Sequence, residues 1–434
     1  MSDNPISNPP LELNAAFREA LDRMEKTKEN IFITGKAGTG KSTLLKLFKK
    51  TTRKQLVVLA PTGIAALNVG GQTIHSFFGF PPKPLHPQEL KKRRNHKLYK
   101  KLDVVIIDEI SMVRADLLDN IDVFLRKNRE IAQPFGGCQM IFFGDLFQLP
   151  PVVANQIEAN LFEGYYETPF FFSAYCFQTG FEMEFFELNK VYRQEGRHFL
   201  RLLEAVRTNR VDYEDLEDLN ERYDPDFNPP FYYITLSPRN ALVDRINKQK
   251  LDQIEEELFF YNAEVKGNFD NRRYPTEEIL QLKVGAQVMF VKNDSERAFV
   301  NGTLGKVVEL SKNKIKVEIK INGKPSILDV GKAEWEVLKY RESAIDTNKI
   351  ETETVGVFKQ FPLKLAWAIT IHKSQGKTFD RVIIDMGRGA FAPGQTYVAL
   401  SRCRSLEGIV LKQRITHHDI MTNERVVQFY ETNF

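Results

Sequence analysis

Apolar residues occur in the first half of the chain as short continuous runs, separated by longer stretches in which polar and apolar positions mix. Four runs are rich in β-branched or aromatic residues, at 31–34, 56–60, 103–108 and 139–145. Nearly continuous apolar runs of this length are typical of parallel strands buried on both faces. Helical patterns lie between several of them, so the pattern predicts βαβ units around a parallel sheet.

The second half repeats this pattern less regularly. Apolar runs at 231–237, 381–386 and 408–413 predict a second α/β layer. Between them, residues 284–330 contain four closely spaced strand-like segments with Asn-Gly turns. Such spacing is typical of antiparallel hairpins, so we expect a small all-β, barrel-like insert.

Composition narrows the class of protein. A chain of 434 residues exceeds what one core usually organises, so more than one domain is expected. With 61 basic and 57 acidic residues the net charge is only +4, and a nucleic-acid site would need local clustering of charge. Cys138, Cys176 and Cys403 form no C-x-x-C pair, which argues against a zinc ribbon or a disulfide framework. Without a signal peptide pattern or an apolar run of roughly 20 residues, a soluble intracellular protein is expected.

The densest charge run is at residues 91–101, where seven of eleven positions are Lys or Arg. Such a run is compatible with a solvated insertion and equally with contacts to a phosphate backbone. The sequence leaves both interpretations open.

Residues 35–42, GKAGTGKS, match the pattern G-x-x-x-x-G-K-[ST] directly after a predicted strand. Glycines let backbone N–H groups curl around phosphate oxygens, and the helix that follows directs its positive end at them. In this pattern the Lys reaches the β- and γ-phosphates and the Ser ligates Mg²⁺. The residues predicted to bind ATP are Gly35, Ala37, Gly38, Thr39, Gly40, Lys41, Ser42 and Thr43.

Two further strands end in polar residues. The run VVIID delivers Asp108 and Glu109 to its carboxyl end, where Asp108 can hold the metal through water and Glu109 can polarise the attacking water. In IFFGDLFQLPPV, Gln148 is placed to sense the γ-phosphate and Asp145 to couple that response to a neighbouring loop. Together with the phosphate loop, these segments predict a nucleoside triphosphatase.

Two arginines outside the first α/β layer are candidates for an arginine finger. Arg193 lies in NKVYRQ and Arg402 in YVALSRCRS. An arginine from a second lobe stabilises charge on the transferring phosphoryl group. An isolated arginine is usually a surface residue, so only a wider pattern supports this role.

That wider pattern is present as seven segments in helicase order: GKAGTGKS, APTGIAALNVGGQTIHSFF, IIDEISM, IFFGDLFQLPPV, VYRQ, LAWAITIHKSQGKTFD and YVALSRCRS. The chain closely resembles the superfamily 1B DNA helicases, most specifically the PIF (petite integration frequency) family. RecD-like and Dda-like helicases are the next most similar groups. The resemblance covers roughly residues 15–412.

The resemblance implies an α/β fold of two RecA-like P-loop NTPase lobes, with a small wedge insert in the first lobe and an SH3-like β-barrel insert in the second. We expect the first lobe at 1–190, with its wedge at about 78–101, the second lobe at 191–283 and 356–434, and the β insert at 284–355.

The resemblance also assigns residues. It places an ATP site between the lobes, with catalytic residues Lys41, Asp108, Glu109, Gln148, Arg193 and Arg402. It gives Ser42 and Asp108 to Mg²⁺, and Gln375 and Gly376 to the nucleotide. The residues expected at the DNA strand are Thr62, Gly63, His75, Thr370, His372, Lys373 and Ser374. Phe77 and Phe78 follow as a candidate stacking platform, with core packing as the open alternative for either ring.

One segment departs from the family pattern. Members usually carry a Gln before the phosphate loop that reads adenine, whereas residues 11–25, LELNAAFREALDRME, contain none. Asn14 or backbone groups are the candidate substitutes.

The expected function is that of an ATP-dependent 5′-to-3′ translocase and helicase on single-stranded and forked DNA. The family also implies G-quadruplex and RNA–DNA hybrid substrates, roles in replication, repair, recombination or telomere-type maintenance, and a monomer that can dimerise on DNA. A compact bacterial member in the cytoplasm, associated with nucleoid DNA, is expected. The alternatives are a DNA-stimulated ATPase switch or protein remodeller without strand separation, a DNA-binding module with a vestigial nucleotide site, and RNA as the tracked strand.

Overall fold

The computed structural model describes residues 14–81, 84–153, 164–294, 298–321, 323–343, 346 and 349–434. The chain divides into two compact units. The first unit comprises the described residues of Leu13–Tyr192, Glu336–Val355 and Asn423–Phe434. The second comprises those of Arg193–Trp335 and Gly356–Thr422. The predicted domain boundaries stay a prediction, but the last twelve residues, expected in the second lobe, group here with the first unit.

The helices of the described residues are short. Those up to residue 129 are α1 (Ala15–Lys26), α2 (Lys41–Thr51), α3 (Gly63–Val69), α4 (Ile74–Phe78), α5 (His96–Lys100) and α6 (Ala115–Arg129). Those that follow are α7 (Arg197–Thr208), α8 (Tyr213–Asn220), α9 (Asn240–Asp252), α10 (Ile371–Ser374), α11 (Gln395–Leu400) and α12 (Glu424–Asn433). None of these described helices has the length and apolar character needed to cross a lipid bilayer.

The first unit contains a six-stranded parallel sheet in the order β3-β2-β4-β5-β1-β6. Its strands are β1 (Ile31–Gly35), β2 (Leu56–Ala60), β3 (Gln72–Thr73), β4 (Val104–Ile107), β5 (Gln139–Phe143) and β6 (Glu184–Leu188). The four predicted strands are confirmed, and nearly all their residues are buried, as continuous apolar runs require. The edge strands β3 and β6 were not predicted, because β3 has two residues and β6 carries exposed and half-buried positions.

The core of the first unit lies between this sheet and its helices. Phe17 and Met24 of α1 and Leu44 and Phe48 of α2 are almost fully buried against the aliphatic residues of the central strands. These positions recur at helical spacing, so each helix turns one apolar face to the sheet. The packing fixes both ends of α2, the helix that begins at the phosphate loop.

The second unit combines a parallel and an antiparallel sheet. The first strands of the unit are β7 (Ile234–Ser237), β8 (Phe259–Asn262), β9 (Glu264–Gly267), β10 (Ile279–Leu282), β11 (Gln287–Phe290), β12 (Leu304–Leu310), β13 (Ile315–Ile321) and β14 (Lys324–Val330). They are followed along the chain by β15 (Ala333–Glu342) and β16 (Ile350–Gln360), of which residues 336–342 and 350–355 belong to the first unit, and then by β17 (Leu363–Leu365), β18 (Ala368–Thr370), β19 (Val382–Ile384) and β20 (Ile409–Leu411). The parallel sheet has the order β18-β7-β19-β20 and confirms the predicted second α/β layer.

The predicted all-β segment, residues 284–330, supplies four strands of a five-stranded antiparallel sheet in the order β14-β13-β12-β11-β17, and β17 comes from beyond the predicted insert. Alternate residues of β13, such as Ile315, Val317 and Ile319, are buried, as expected for a sheet that packs on one face. The first predicted Asn-Gly turn contains Gly302 with φ +103°, while Asn322 of the second lies outside the described residues. The barrel closure of this insert stays a prediction.

Candidate functional site

The phosphate loop connects β1 to α2 and depends on glycine. Gly38 and Gly40 have φ of 84° and 89°, a region that side chains with a Cβ rarely adopt. A Cβ on Gly40 would also lie 2.8 Å from Cζ of Phe17. Gly40 is the N-cap of α2 and supplies no side-chain cap, so the first N–H groups of the helix are available to an anion.

Lys41 lies over this loop. Its Nζ donates to the carbonyl oxygens of Gly35 at 2.5 Å and Lys36 at 3.1 Å. The ammonium is therefore held at the turn around which the loop N–H groups curl. Ser42 and Thr43, in the first turn of α2, are exposed. This arrangement is that of a phosphate-binding loop.

The acidic pair follows β4, as predicted. Asp108 extends the sheet by donating its N–H to the carbonyl of Leu59 at 2.9 Å, and its side chain is buried. Burial, and then the charge of Glu109, raise the pKa of Asp108 to about 7, while Lys41 acts in the opposite direction. Glu109 has φ +53°, a left-handed conformation that non-glycine residues seldom adopt and that is common at functional sites.

Gln148 is held by Asp145, two residues beyond the end of β5. Its Nε2 donates to Oδ2 of Asp145 at 3.2 Å, and the other carboxylate oxygen accepts the N–H of Phe147, also at 3.2 Å. Both side chains are buried. Phe147 in turn meets Tyr430 of α12 edge-on at 5.2 Å between ring centroids. Asp145 thus fixes the side chain predicted to sense the γ-phosphate.

Asn14 connects three parts of this region. Its Oδ1 caps α1 by accepting the N–H of Phe17 at 2.8 Å, and its Nδ2 donates to the hydroxyl of Tyr192 at 3.0 Å. The N–H of Tyr192 donates to the carbonyl of Gly38 at 2.9 Å. Both groups of the Asn14 amide are engaged here, which favours backbone groups over Asn14 for reading adenine. Tyr192 was not predicted, since its contact lies far away in sequence.

The DNA candidates of the first unit lie at the carboxyl ends of β2 and β3. Thr62 is exposed and caps α3 by accepting the N–H of Ala65 at 3.2 Å, next to Gly63, and His75 is half-buried on α4. Phe77 is only 6% exposed and meets Phe78, itself fully buried, edge-on at 4.9 Å. The structure therefore favours core packing for both rings, because a stacking platform needs an exposed face.

In the second unit, β18 ends at Thr370, whose Oγ1 accepts the N–H of Lys373 at 3.3 Å and caps α10. His372 and Lys373 are exposed on this short helix. Ser374 is fully buried, and its hydroxyl donates to the carbonyl of Ile371 at 2.7 Å. Ser374 therefore shapes the turn, and the exposed DNA candidates of this segment are His372 and Lys373.

The nucleotide candidates of the second unit include buried polar atoms without partners. Nη1 of Arg193 and Nε2 of Gln375 have no hydrogen-bond partner among the described residues. Burial lowers the pKa of Arg193 to about 10. Gly376 follows with φ +75°. Buried donors are almost always satisfied in folded proteins, so these two atoms are candidates to meet a ligand.

Arg402 lies beside this group. It is 1% exposed, and its guanidinium donates to the carbonyl of Val398 at 2.9 Å and to the hydroxyl of Ser401 at 2.8 Å. Gln194, next to Arg193, donates to the carbonyl of Ser401 at 2.7 Å. The two candidate fingers therefore come from adjoining segments of the second unit.

Lys377 also belongs to this region and was not predicted. It is 8% exposed, and burial, followed by the charges of Lys364 and Arg402, lowers its pKa to about 8. Its position in HKSQGK was visible in the sequence, but its burial, which sets it apart from an ordinary surface lysine, was not.

A phosphate loop at one end of a parallel sheet, with a buried acidic pair at the end of a neighbouring strand, defines the class of P-loop nucleoside triphosphatases. Residues 11–215 match the PIF1-like helicase family, and residues 271–310 match the 2B domain of the DNA helicase Pif1. The chain is 34% identical to the ATP-dependent DNA helicase Pif1 of Bdellovibrio bacteriovorus, over 97% of this chain and 92% of that one. The chain belongs to the PIF1-like helicase family.

Solved structures of related proteins support the same family assignment. The Bacteroides sp. Pif1 in complex with ADP-AlF4 is 40% identical and superimposes with a TM-score of 0.90, covering 98% of this chain and 97% of that one. The Bacteroides Pif1 bound to single-stranded DNA, also 40% identical with the same coverage, gives a TM-score of 0.70. The chain spans 61% of the zebrafish and human relatives. The predicted family, the mixed α/β fold with RecA-like parallel sheets and the enzyme class, an ATP-dependent DNA helicase, are confirmed, while the insert details stay predictions.

Proposed function

We propose that this chain is a 5′-to-3′ helicase that uses ATP to move along single-stranded DNA and to separate the strands of a forked duplex. The observation that carries the proposal is the placement of Lys41 over the phosphate loop, in the same unit as the buried pair Asp108 and Glu109. Complexes of the Bacteroides proteins with ADP-AlF4 and with single-stranded DNA support it.

In this proposal the residues divide the chemistry. Lys41 neutralises charge on the β- and γ-phosphates, Glu109 polarises the attacking water, and Gln148, fixed by Asp145, contacts the γ-phosphate. Arg193 and Arg402 of the second unit stabilise the charge that develops on the transferring phosphoryl group. The unsatisfied Nη1 of Arg193 supports this role, because a buried donor gains most from an incoming anion.

The residues present fit Mg²⁺. The described residues contain no group of three or more His, Cys, Asp or Glu side chains that could hold a metal on their own. Mg²⁺ usually takes one or two protein ligands and fills the other positions with water and phosphate oxygens. Ser42 and Asp108 would hold it, since the Ser42 residue is exposed at the start of α2 and the Asp108 carboxyl lies at the end of β4. Bound there, the ion would neutralise phosphate charge.

DNA would contact exposed residues at the carboxyl ends of strands in both units. Thr62, Gly63 and His75 are accessible in the first unit, and His372 and Lys373 in the second. Desolvation by neighbouring groups lowers the pKa of His372 and favours its neutral form, which is suited to hydrogen bonding or stacking. Lys373 is the cationic member of the set, although desolvation, followed by the charge of Lys364, lowers its pKa too.

Finer features of the function rest on the family resemblance. They are activity on G-quadruplex DNA and RNA–DNA hybrids, roles in replication, repair, recombination or telomere-type maintenance, and location in a bacterial cytoplasm near nucleoid DNA. We propose a monomer that can dimerise on forks, and a solved structure described as two coordinating Pif1 helicases at forked DNA supports the second state.

Strand separation on two partial duplexes tests the proposal. One substrate carries a 5′ single-stranded tail and the other a 3′ tail of equal length and sequence, each with a fluorophore and quencher at the duplex end. We expect ATP-dependent opening of the 5′-tailed substrate alone. Glu109→Gln serves as the control, because it keeps the fold and the nucleotide site but removes the group that polarises water.

Each outcome has a definite meaning. Opening of the 3′-tailed substrate alone would refute the polarity. If neither duplex opened while DNA still stimulated ATP hydrolysis, the chain would be an ATPase switch or translocase without strand separation. Hydrolysis unaffected by DNA would refute a DNA motor altogether.

A further inference from the structure

The seven basic residues of 91–101 are not equivalent in the structure. Lys92 and Lys100 both bond the carboxylate of Glu130, which lies just beyond the end of α6. The hydrogen bonds from Lys100 and Lys92 lower the pKa of Glu130 to about 2, so that carboxylate is ionised over the physiological range. These two lysines therefore share one internal carboxylate, which balances one of their two charges.

Two more of the seven also have internal partners. Nη2 of Arg93 donates to the carbonyl oxygens of Phe78 at 3.0 Å and Gly79 at 2.7 Å. Lys101 pairs with Glu342, and both side chains of that pair are largely buried. Their roles are structural.

Lys91, Arg94 and Lys97 differ from these four. All three are exposed. No side-chain hydrogen bond or ion pair joins any of the three to another residue in the described part of the chain. They are the cations of the run that are available to an external anion.

Two of these three border a cavity of about 560 Å³. Lys91 and Arg94 lie among its lining residues together with Lys92 and Arg93, and Phe80, Leu85 and Leu90 supply apolar lining. One carboxylate, Glu89, also lines it. A cavity of this size that is lined by both cations and apolar groups matches the two parts of a nucleotide, an anionic phosphate and a base with an apolar face.

The segment that carries the cavity is anchored to α6. Asn120 donates to the carbonyl of Leu85 at 3.1 Å, and Lys127 donates to that of Leu90 at 3.1 Å. Asn128, fully buried, accepts the N–H of Arg93 at 2.8 Å. Because the backbone is fixed at several points, the cavity is formed before any ligand arrives, which reduces the entropic cost of binding.

We propose that this cavity binds one nucleotide of single-stranded DNA, with its phosphate at Lys91 and Arg94 and its base or sugar against the wall of Phe80 and Leu85. The proposal rests on the proposed function, since it supposes that the chain acts on DNA. It adds a DNA contact carried by two exposed cations of a run in which four other members are bonded within the protein.

Paired variants with the same loss of charge test it. One variant is Lys91→Ala with Arg94→Ala, and its control is Lys97→Ala with Lys100→Ala, which removes two cations of the same run that do not line the cavity. A third variant, Leu85→Trp, fills the cavity and changes no charge. Binding is measured by fluorescence anisotropy with a labelled oligo-dT of about 20 nucleotides, at several salt concentrations, with thermal unfolding to verify the fold.

We expect the first variant to bind roughly tenfold more weakly at low salt, with a salt slope lowered by about 0.7, since the two cations share one phosphate and each phosphate contact to a single strand contributes about 0.7. The control should keep its slope within about 0.3. Leu85→Trp should weaken binding severalfold with the slope unchanged, because it removes space and no cation.

Equal losses of affinity and slope in the two paired variants would overturn the inference, since the run would then act only through its total charge. Unchanged binding in both would overturn it as well. The proposed function is tested separately by the unmodified protein: if that protein bound no oligo-dT, the DNA motor itself would be refuted.

Discussion

The residues proposed to meet the nucleotide differ between the two units in how their polar groups are satisfied. In the first unit, Lys41 is bonded to loop carbonyls and Gln148 to Asp145. In the second, Nη1 of Arg193 and Nε2 of Gln375 are buried without partners among the described residues. The first set is therefore preorganised by its own unit, whereas the second set carries an unfavourable desolvation that a bound anion would relieve.

This difference suggests separate tasks. A preorganised loop can bind nucleotide by itself, and residues that gain partners only from a ligand can link hydrolysis to the state of the second unit. Variants in the first unit should therefore abolish binding or hydrolysis, while those in the second should affect transition-state stabilisation more than affinity.

The largest effect is expected for Lys41→Ala. The substitution removes the cation held over the phosphate loop, so ATP hydrolysis should fall by about a thousandfold or more, with weaker nucleotide binding. A coupled-enzyme ATPase assay with oligo-dT measures the rate. Lys36→Ala, in the same loop, is the control for charge, and equal losses in the two variants would contradict the assignment.

Glu109→Gln should separate binding from hydrolysis. The amide keeps the size of the side chain and the left-handed backbone but cannot accept the proton of water, so turnover should fall about a hundred- to a thousandfold. ATP affinity, measured with a fluorescent analogue, should stay within about threefold. A variant with an unaltered rate would show that another residue polarises the water.

The pKa of Asp108 predicts the pH dependence of nucleotide binding. Because burial and Glu109 raise its folded-state pKa to about 7, above the value in the unfolded chain, the folded state holds a proton that the unfolded chain releases at lower pH. The free energy of unfolding should therefore fall as pH rises from about 4 to 7. The affinity for Mg–ADP should rise over the approach to pH 7, by at most about tenfold per pH unit, and level off above it.

Calorimetric titration of Mg–ADP from pH 5.5 to 8.5 measures this slope. Asp108→Asn is the control, since it cannot ionise and should retain only the dependence that comes from the nucleotide itself. The same slope in both proteins would mean that Asp108 does not take part in holding the metal.

The smallest effect is expected for Gln375→Leu. Removing an amide whose Nε2 has no partner should leave the free energy of unfolding within about 1 kcal/mol of the unmodified protein. Gln194→Leu loses the hydrogen bond to the carbonyl of Ser401, so its free energy of unfolding should fall by about 1 to 2 kcal/mol. Chemical denaturation compares the two. A larger loss for Gln375→Leu would show that its amide is satisfied in the folded protein.

The sequence predicted features that depend on local pattern. The central strands of both parallel sheets, the phosphate loop and the acidic pair after β4 follow from continuous apolar runs and short motifs. The edge strand β3 could not be predicted in this way, because a strand of two residues has no periodicity to detect.

Features that depend on distant contacts were not predictable. The hydroxyl of Tyr340 in β15 accepts the N–H of Val58 in β2, and α12 packs Tyr430 against Phe147. The same limit applies to the basic run, where the pairing of Lys92 and Lys100 with Glu130 decides which cations remain available. The sequence shows where the charges lie along the chain, whereas only the fold shows which of them are bonded within the protein.

The affinity of Arg402→Lys for ADP and for ADP–AlF4 tests most directly whether the second unit acts in the transition state. Arg404→Lys, an exposed neighbour paired with Asp380, is the control. We predict that Arg402→Lys binds ADP within about tenfold of the unmodified protein and the transition-state analogue at least about a hundredfold more weakly. Equal, small changes for both ligands would contradict the account, because Arg402 would then contribute nothing specific to phosphoryl transfer.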